Sequence, residues 1–199
     1  MPLLPLEPFV FPEDLLGQPG CTTGDSECWW VLHTRPRAEK SLARRLLGRT
    51  LSFFLPLYKR QWRSRGRLFC SHVPLFPSYI FLHGDGHVRL AALETNLVAR
   101  VLPVPDQARM RRDLERVYSL MATGAPLAPE ERLAPGSLVE ITSGPLIGLT
   151  GKVLRRGKQL KLIVEVQFLQ RGVSVEIESW MIQPLSGQRS ALALQAECG

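Results

Sequence analysis

Val73-Pro74-Leu75-Phe76-Pro77-Ser78-Tyr79-Ile80-Phe81-Leu82 is an apolar run cut by two prolines and ending in a strand-like stretch. At a period of two, Tyr79 and Phe81 fall on one face and Ile80 and Leu82 on the other, so both faces are apolar. Such a strand is either core on both sides or carries an exposed patch that awaits a partner. Upstream, Phe53–Arg63 reads as a second extended segment, joined to Leu68–Leu82 by the basic turn Ser64-Arg65-Gly66-Arg67. Pro56, Pro74 and Pro77 exclude uniformly paired central strands. Trp29-Trp30-Val31-Leu32-His33-Thr34 is a further β-prone run that stops at Pro36.

From Arg37 to Arg49 the period becomes helical. Ala38, Leu42, Leu46 and Leu47 share one side, while Arg37, Lys40, Ser41, Arg44 and Gly48 share the other. Residues 86–100 read as a short helix followed by a strand near Val98–Leu102, and Pro105-Asp106 opens a helix from Gln107 towards Met121. This order predicts an α+β fold whose first domain, residues 29–122, is an antiparallel α/β sandwich. Residues 123–134 are rich in Pro, Gly and Ala and read as a linker. From 135 to 185 the texture is purely β. Leu160, Leu162, Val164 and Val166 alternate along one strand and Val173, Val175 and Ile177 along another, with turns at Arg156-Gly157-Lys158 and Gln170-Arg171-Gly172. Four or five short strands with period-2 burial predict a small closed barrel. Residues 186–199 form a tail.

The chain has 199 residues, 45% hydrophobic and 22% charged, enough to bury a real core. Its formal charge of +7 favours a polyanionic partner. The charge is unevenly spread. Residues 1–28 carry Glu7, Glu13, Asp14, Asp25 and Glu27 without a single Lys or Arg, and their prolines mark an irregular acidic arm. Between Trp30 and Phe69 eleven Lys or Arg residues stand against Glu39 alone. Four scattered cysteines make neither a disulfide framework nor a zinc knuckle. Gly144, Gly148 and Gly151 lack the Lys-Ser/Thr of a phosphate loop, and no Ser or Cys lies in a nucleophile elbow. The expectation is therefore a binding protein with no catalytic residues, no metal and no cofactor. With no apolar run of about 18 residues and no secretory leader pattern, a cytoplasmic setting away from membranes is expected.

Pro135-Gly136-Ser137-Leu138-Val139-Glu140-Ile141-Thr142-Ser143-Gly144-Pro145-Leu146-Ile147-Gly148-Leu149-Thr150-Gly151-Lys152-Val153 looks like a KOW motif, with Val139, Ile141 and Val153 pointing inward. Taken with Trp29-Trp30-Val31-Leu32, Phe54-Leu55-Pro56 and Leu75–Phe81, it makes the chain resemble the NusG family of transcription elongation factors. The first domain is similar to the family's NGN domain and the second to its SH3-like KOW barrel. The run Thr34–Lys40 and the wording Leu55-Pro56-Leu57-Tyr58 resemble specialised paralogues such as RfaH.

The resemblance implies an antitermination or elongation factor, acting as a monomer, that binds the β′ clamp helices of bacterial RNA polymerase. Phe76, Pro77, Tyr79 and Phe81 would form the apolar patch, with aromatic anchors dominating the interface. Arg35, Arg37, Lys40 and Arg44 would contact the non-template DNA strand through phosphates, with His33, Thr95 and Asn96 as candidates for touching bases. The barrel would recruit Rho or a small-subunit ribosomal protein. Ile147 and Leu149 are either that contact or plugs at the barrel end. KOW barrels also occur in ribosomal proteins, so the alternative function is a ribosome- or RNA-binding assembly factor.

Overall fold

The computed structural model describes residues 8–16, 27–130, 136–156 and 159–184. The chain divides into two compact units, Met1–Glu115 and Arg116–Gly199.

In the first unit the elements run β1 (Val10–Phe11), β2 (Cys28–Thr34), α1 (Glu39–Gly48), β3 (Phe53–Phe54), β4 (Leu57–Ser64), β5 (Arg67–Pro74), β6 (Tyr79–Gly84), α2 (Gly86–Leu93), β7 (Val98–Pro103) and α3 (Gln107–Ala122). Division into units falls inside α3. Five strands form an antiparallel sheet in the order β1-β3-β6-β2-β7. Strand alternation gives this sheet two apolar faces. On one, Leu32, Phe53, Ile80 and Leu82 cluster with Leu42, Ala43 and Leu46 of α1 and Ala92 of α2. Each such leucine contributes about 2 kcal/mol on burial. The opposite face carries Val31, Phe54 and Phe81, all without exposed surface.

Three local devices fix the helices. Asp85 caps α2, its carboxyl accepting the N–H groups of His87 and Val88 at 2.9 and 3.0 Å, which holds its pKa below the usual value. Gln107 ties the start of α3 to β2: its Oε1 accepts the Trp29 N–H at 2.6 Å and its Nε2 donates to the Trp29 carbonyl at 3.1 Å. Helix α1 begins at Glu39, because Arg37 has φ +60° and cannot continue a right-handed turn. Arg37 therefore belongs to the preceding loop and not to the basic face of the helix. Leu47, expected on the packed side, is 38% exposed, since it lies a full residue step round from Leu46.

Within the acidic arm, residues 10 and 11 form a strand. Val10 and Phe11 pair with Phe54 and Phe53, the Leu55 N–H donates to the Phe9 carbonyl at 2.6 Å, and Phe9 and Phe11 pack on the core. The short strand β3 would otherwise leave an open sheet edge, and the apolar residues of the arm cover it. Strands β4 and β5 form a separate two-stranded sheet.

The second unit contains β8 (Leu127–Glu130), β9 (Ser137–Ile141), β10 (Thr150–Arg156), β11 (Gln159–Val166), β12 (Arg171–Ile177) and β13 (Ile182–Pro184). They pair antiparallel in the order β13-β9-β10-β11-β12-β8. Residues 127–130, inside the stretch expected to be linker, are thus an edge strand, a position that tolerates Pro129. Residues 131–135 and the tail 186–199 lie outside the described residues.

Strands β12 and β13 are four strand spacings apart, about 19 Å in a flat sheet. Yet residues 178–181 alone connect them, and Ser179–Met181 is coiled into a 3₁₀ turn. The sheet must therefore curl. Its end strands, β13 and β8, are not paired with one another among the described residues, so the closed barrel expected from the sequence is a curled open sheet here. Val139, Ile141, Val153, Leu162, Val164, Val166, Val173 and Val175 fill its interior.

Candidate functional site

The residues on which the sequence concentrates attention meet at one end of β2 and β6. Phe76-Pro77-Ser78-Tyr79 is a tight turn closed by the Tyr79 N–H donating to the Phe76 carbonyl at 3.1 Å. Pro77 in the second position and a φ of +68° at Ser78 in the third are the marks of a type II turn. Two bonds pin it to its neighbours. The Ser78 N–H donates to Glu39 Oε1 at 2.7 Å, and the Ser78 carbonyl accepts the Thr34 N–H at 2.9 Å. Glu39, the lone acid of the basic stretch, is buried and serves as the joint between α1 and this turn.

The four apolar candidates separate. Phe76 and Phe81 are 1% and 0% exposed, the two rings meeting edge-on at 5.9 Å, with Phe54 stacked on Phe81 at 6.3 Å. As surface anchors they are corrected to core residues, because Phe54 on the neighbouring strand completes an aromatic cluster around them. Pro77 is exposed and Tyr79 partly so, its ring 5.2 Å from that of His33. The bonds of Ser78 to Thr34 and Glu39 bring the chain next to Arg35 and Lys40 up to the turn, and neither bond reaches Arg44. Arg35 and Arg37 are exposed in the loop that follows Thr34, Lys40 lies partly exposed in the first turn of α1, and Arg44 is exposed one turn later. Pro77 and Tyr79 therefore share a surface with the 35–37 loop.

Two other exposed bases are engaged by neighbouring backbone. Arg45 donates to the Thr95 carbonyl at 2.8 Å, and Arg49 to the Ala91 carbonyl at 2.6 Å and to Glu94 at 3.1 Å, so both hold α1 to the end of α2. Thr95 is buried, its hydroxyl donating to the Ala92 carbonyl at 2.7 Å. It is a structural residue and leaves the set of base-contact candidates. Asn96 occupies a left-handed turn position at φ +59°, which its short amide tolerates.

His83, at the other end of β6, was no sequence candidate. Its ring lies 4.8 Å from Trp29 and its Nδ1 is 3.9 Å from a Glu27 carboxylate oxygen. Burial pushes its pKa below the ordinary value; Glu27 opposes that shift and Arg111 adds to it. The unfolded chain thus binds this proton more readily than the folded one. Stability from this group is full above the ordinary pKa of 6.5 and is lost as pH falls through that value towards the lower, folded one. Urea midpoints are expected to drop on acidification from pH 7 towards 5, and His83→Gln to flatten that drop.

In the second unit the loop between β9 and β10 gives its apolar residues different exposures. Leu146 is 3% exposed and plugs the loop, Ile147 is 67% exposed, and Leu149 is half-buried. Leu146 was the plug that sequence reasoning overlooked. The loop is closed by the Ile147 N–H donating to the Gly144 carbonyl at 3.2 Å, the Gly148 N–H to Ile141 at 2.8 Å, and the Leu149 N–H to Leu146 at 3.1 Å. The Thr142 N–H bonds the Met181 carbonyl at 2.8 Å, which brings this loop beside Trp180, an indole 66% exposed. Only its place outside the alternating strands hinted that Trp180 would stay wet.

Among the described residues no cluster of His, Cys, Asp or Glu could hold a metal ion, and no helix is long and apolar enough to cross a membrane. No curated protein matches the sequence. Among solved structures, the crystal structure of an MjSpt4:Spt5 complex in conformation B matches at 18% identity, over 81% of this chain and 99% of that one. Its TM-score of 0.28 is too low to carry a structural argument. The family model described as NusG, transcription termination factor nusG, matches residues 27–131, which takes in β2 through β8 and more than half of the chain. With that span covering the whole five-stranded sheet except its short edge strand, the chain belongs to the NusG family of transcription factors.

Proposed function

We propose that this protein is a transcription elongation factor, a specialised RfaH-like paralogue that suppresses pausing or termination. In this reading, Pro77 and Tyr79 dock on the β′ clamp helices of bacterial RNA polymerase. Arg35, Arg37, Lys40 and Arg44 face the phosphates of the non-template DNA strand. The observation that carries the reading is the joint at Ser78, where bonds to Thr34 and Glu39 set an exposed Pro77 and a partly exposed Tyr79 beside an exposed basic loop. An apolar anchor flanked by cations suits a protein helix pair next to nucleic acid. Binding that favours one polymerase state over another needs no bond chemistry. The curled sheet of the second unit acts as the KOW domain of this factor, offering Ile147 to Rho or to a small-subunit ribosomal protein. The protein works as a cytoplasmic monomer.

The test is capture of polymerase from a bacterial lysate by the tagged chain. Pro77→Glu with Tyr79→Ala is expected to reduce capture at least about tenfold, since interface anchors cost about 2 kcal/mol or more on truncation, with the thermal transition retained. Capture at the unsubstituted level removes the assignment. Ribosomal RNA in place of polymerase subunits would favour a ribosome-assembly role.

A further inference from the structure

The hairpin of β4 and β5 has no place in the reading above, yet its chemistry is distinct. Ser64 pairs with Arg67 across a two-residue loop, Arg65-Gly66, with φ of +46° and +75°, the geometry that suits strand twist. Trp62 and Phe69 stand directly opposite each other and stack at 5.6 Å with 17° between ring planes. Even so stacked they remain 42% and 39% exposed. Cross-strand pairing accounts for the stack, but not for the charge around it. Residues 57–74 hold Lys59, Arg60, Arg63, Arg65 and Arg67 and no acid. Alternation places Arg60 and Arg67 on the same face as the stack, in the residue pairs on either side of it, about 7 Å away along the strand.

We infer that this hairpin grips an unpaired DNA strand, its bases stacking on Trp62 and Phe69 while Arg60 and Arg67 meet phosphates to either side. Unopposed cations select a polyanion, and a flat wet aromatic platform selects one whose base faces are open. A duplex keeps those faces stacked and offers the platform nothing. The choice of DNA over RNA rests on the proposed function, because rings and guanidinium groups accept either.

The experiment is fluorescence anisotropy of the full chain with a labelled 12-residue oligo-dT, a DNA duplex of equal length, and oligo-rU. Oligo-dT is expected to bind about tenfold tighter than the duplex. Trp62→Ala with Phe69→Ala should weaken it about tenfold or more, while Trp62→Phe, which keeps a stacked pair, retains most of the affinity. Arg60→Gln with Arg67→Gln should lower the slope of log K against log salt by about 1.4. Undiminished oligo-dT binding by the double alanine variant overturns the inference. So does loss in Trp62→Phe equal to that in the alanine variant, or equal binding of the duplex. Binding of oligo-rU but not oligo-dT overturns the choice of DNA. No polymerase enters this assay, so its failure is separable from failure of the polymerase reading.

Discussion

Phe81→Ala is expected to lower the stability of the first unit by about 3–5 kcal/mol, the cost of emptying an aromatic site that cannot collapse. Phe81 has no exposed surface, and its ring is held by Phe76 at 5.9 Å and Phe54 at 6.3 Å. Its backbone pairs with Val31 on one side and Phe54 on the other, which restrains the strand from closing over the void. Urea unfolding followed by tryptophan fluorescence would read the change, since Trp29 and Trp30 lie on β2 beside Phe81. Tyr79→Ala, at a half-exposed position, should cost well under half as much. The pair separates two kinds of polymerase-capture defect. A loss in Phe81→Ala accompanied by an early urea midpoint reports unfolding; a loss in Tyr79→Ala at unchanged midpoint reports an anchor. Equal midpoints for the two variants would overturn the placement of Phe81 in the core.

Alternation in β6 showed that both faces of the strand are apolar, and it could not show that both are buried from Ile80 onward. That depended on Phe54, 27 positions upstream, arriving next to Phe81 through the register of β3 with β6. Local patterns served well where the partner is close in sequence. The helical periods behind α1 and α3, the turn at Arg65-Gly66 and the inward side chains Val139, Ile141 and Val153 all reappear in the structure. Patterns failed where a distant backbone decides. Val10–Phe11 gains its strand from the edge of β3, and Leu127–Glu130 from the edge of β12. The basic stretch is instructive in the same way. Charge alone does not separate Arg45 and Arg49, bound to carbonyls near the end of α2, from Arg35 and Arg37 in an exposed loop. Glu39, one acid among eleven bases, carried a signal of its own: an isolated acid in such company has a partner to serve, here the Ser78 amide.

Replacing Gly151 tests the second unit most severely. Its backbone is ordinary, with no positive φ, so the reason for glycine is space. A Cβ there would stand 2.6 Å from the Ile163 carbonyl oxygen and 2.9 Å from Leu162 Cδ1. Leucine could swing away. The carbonyl cannot, because β11 is bonded to β10 on one side and β12 on the other. Gly151→Val should therefore cost about 3 kcal/mol or more, a large share of what a small domain possesses. Gly148 supplies the contrast: its φ is +82° but a Cβ would meet open space, so Gly148→Ala carries only the conformational strain of a left-handed residue, about 1 kcal/mol. Amide exchange gives the readout. In Gly151→Val the amides of Val153, Ile163 and Val175 should lose most of their protection, and in Gly148→Ala they should keep most of it. Those of Leu32 and Leu46, which draw burial from the α1 core, should keep theirs in both. Equal protection at Ile163 in the two variants would mean that β11 can yield, and that the close approach at Gly151 is not what forbids a side chain.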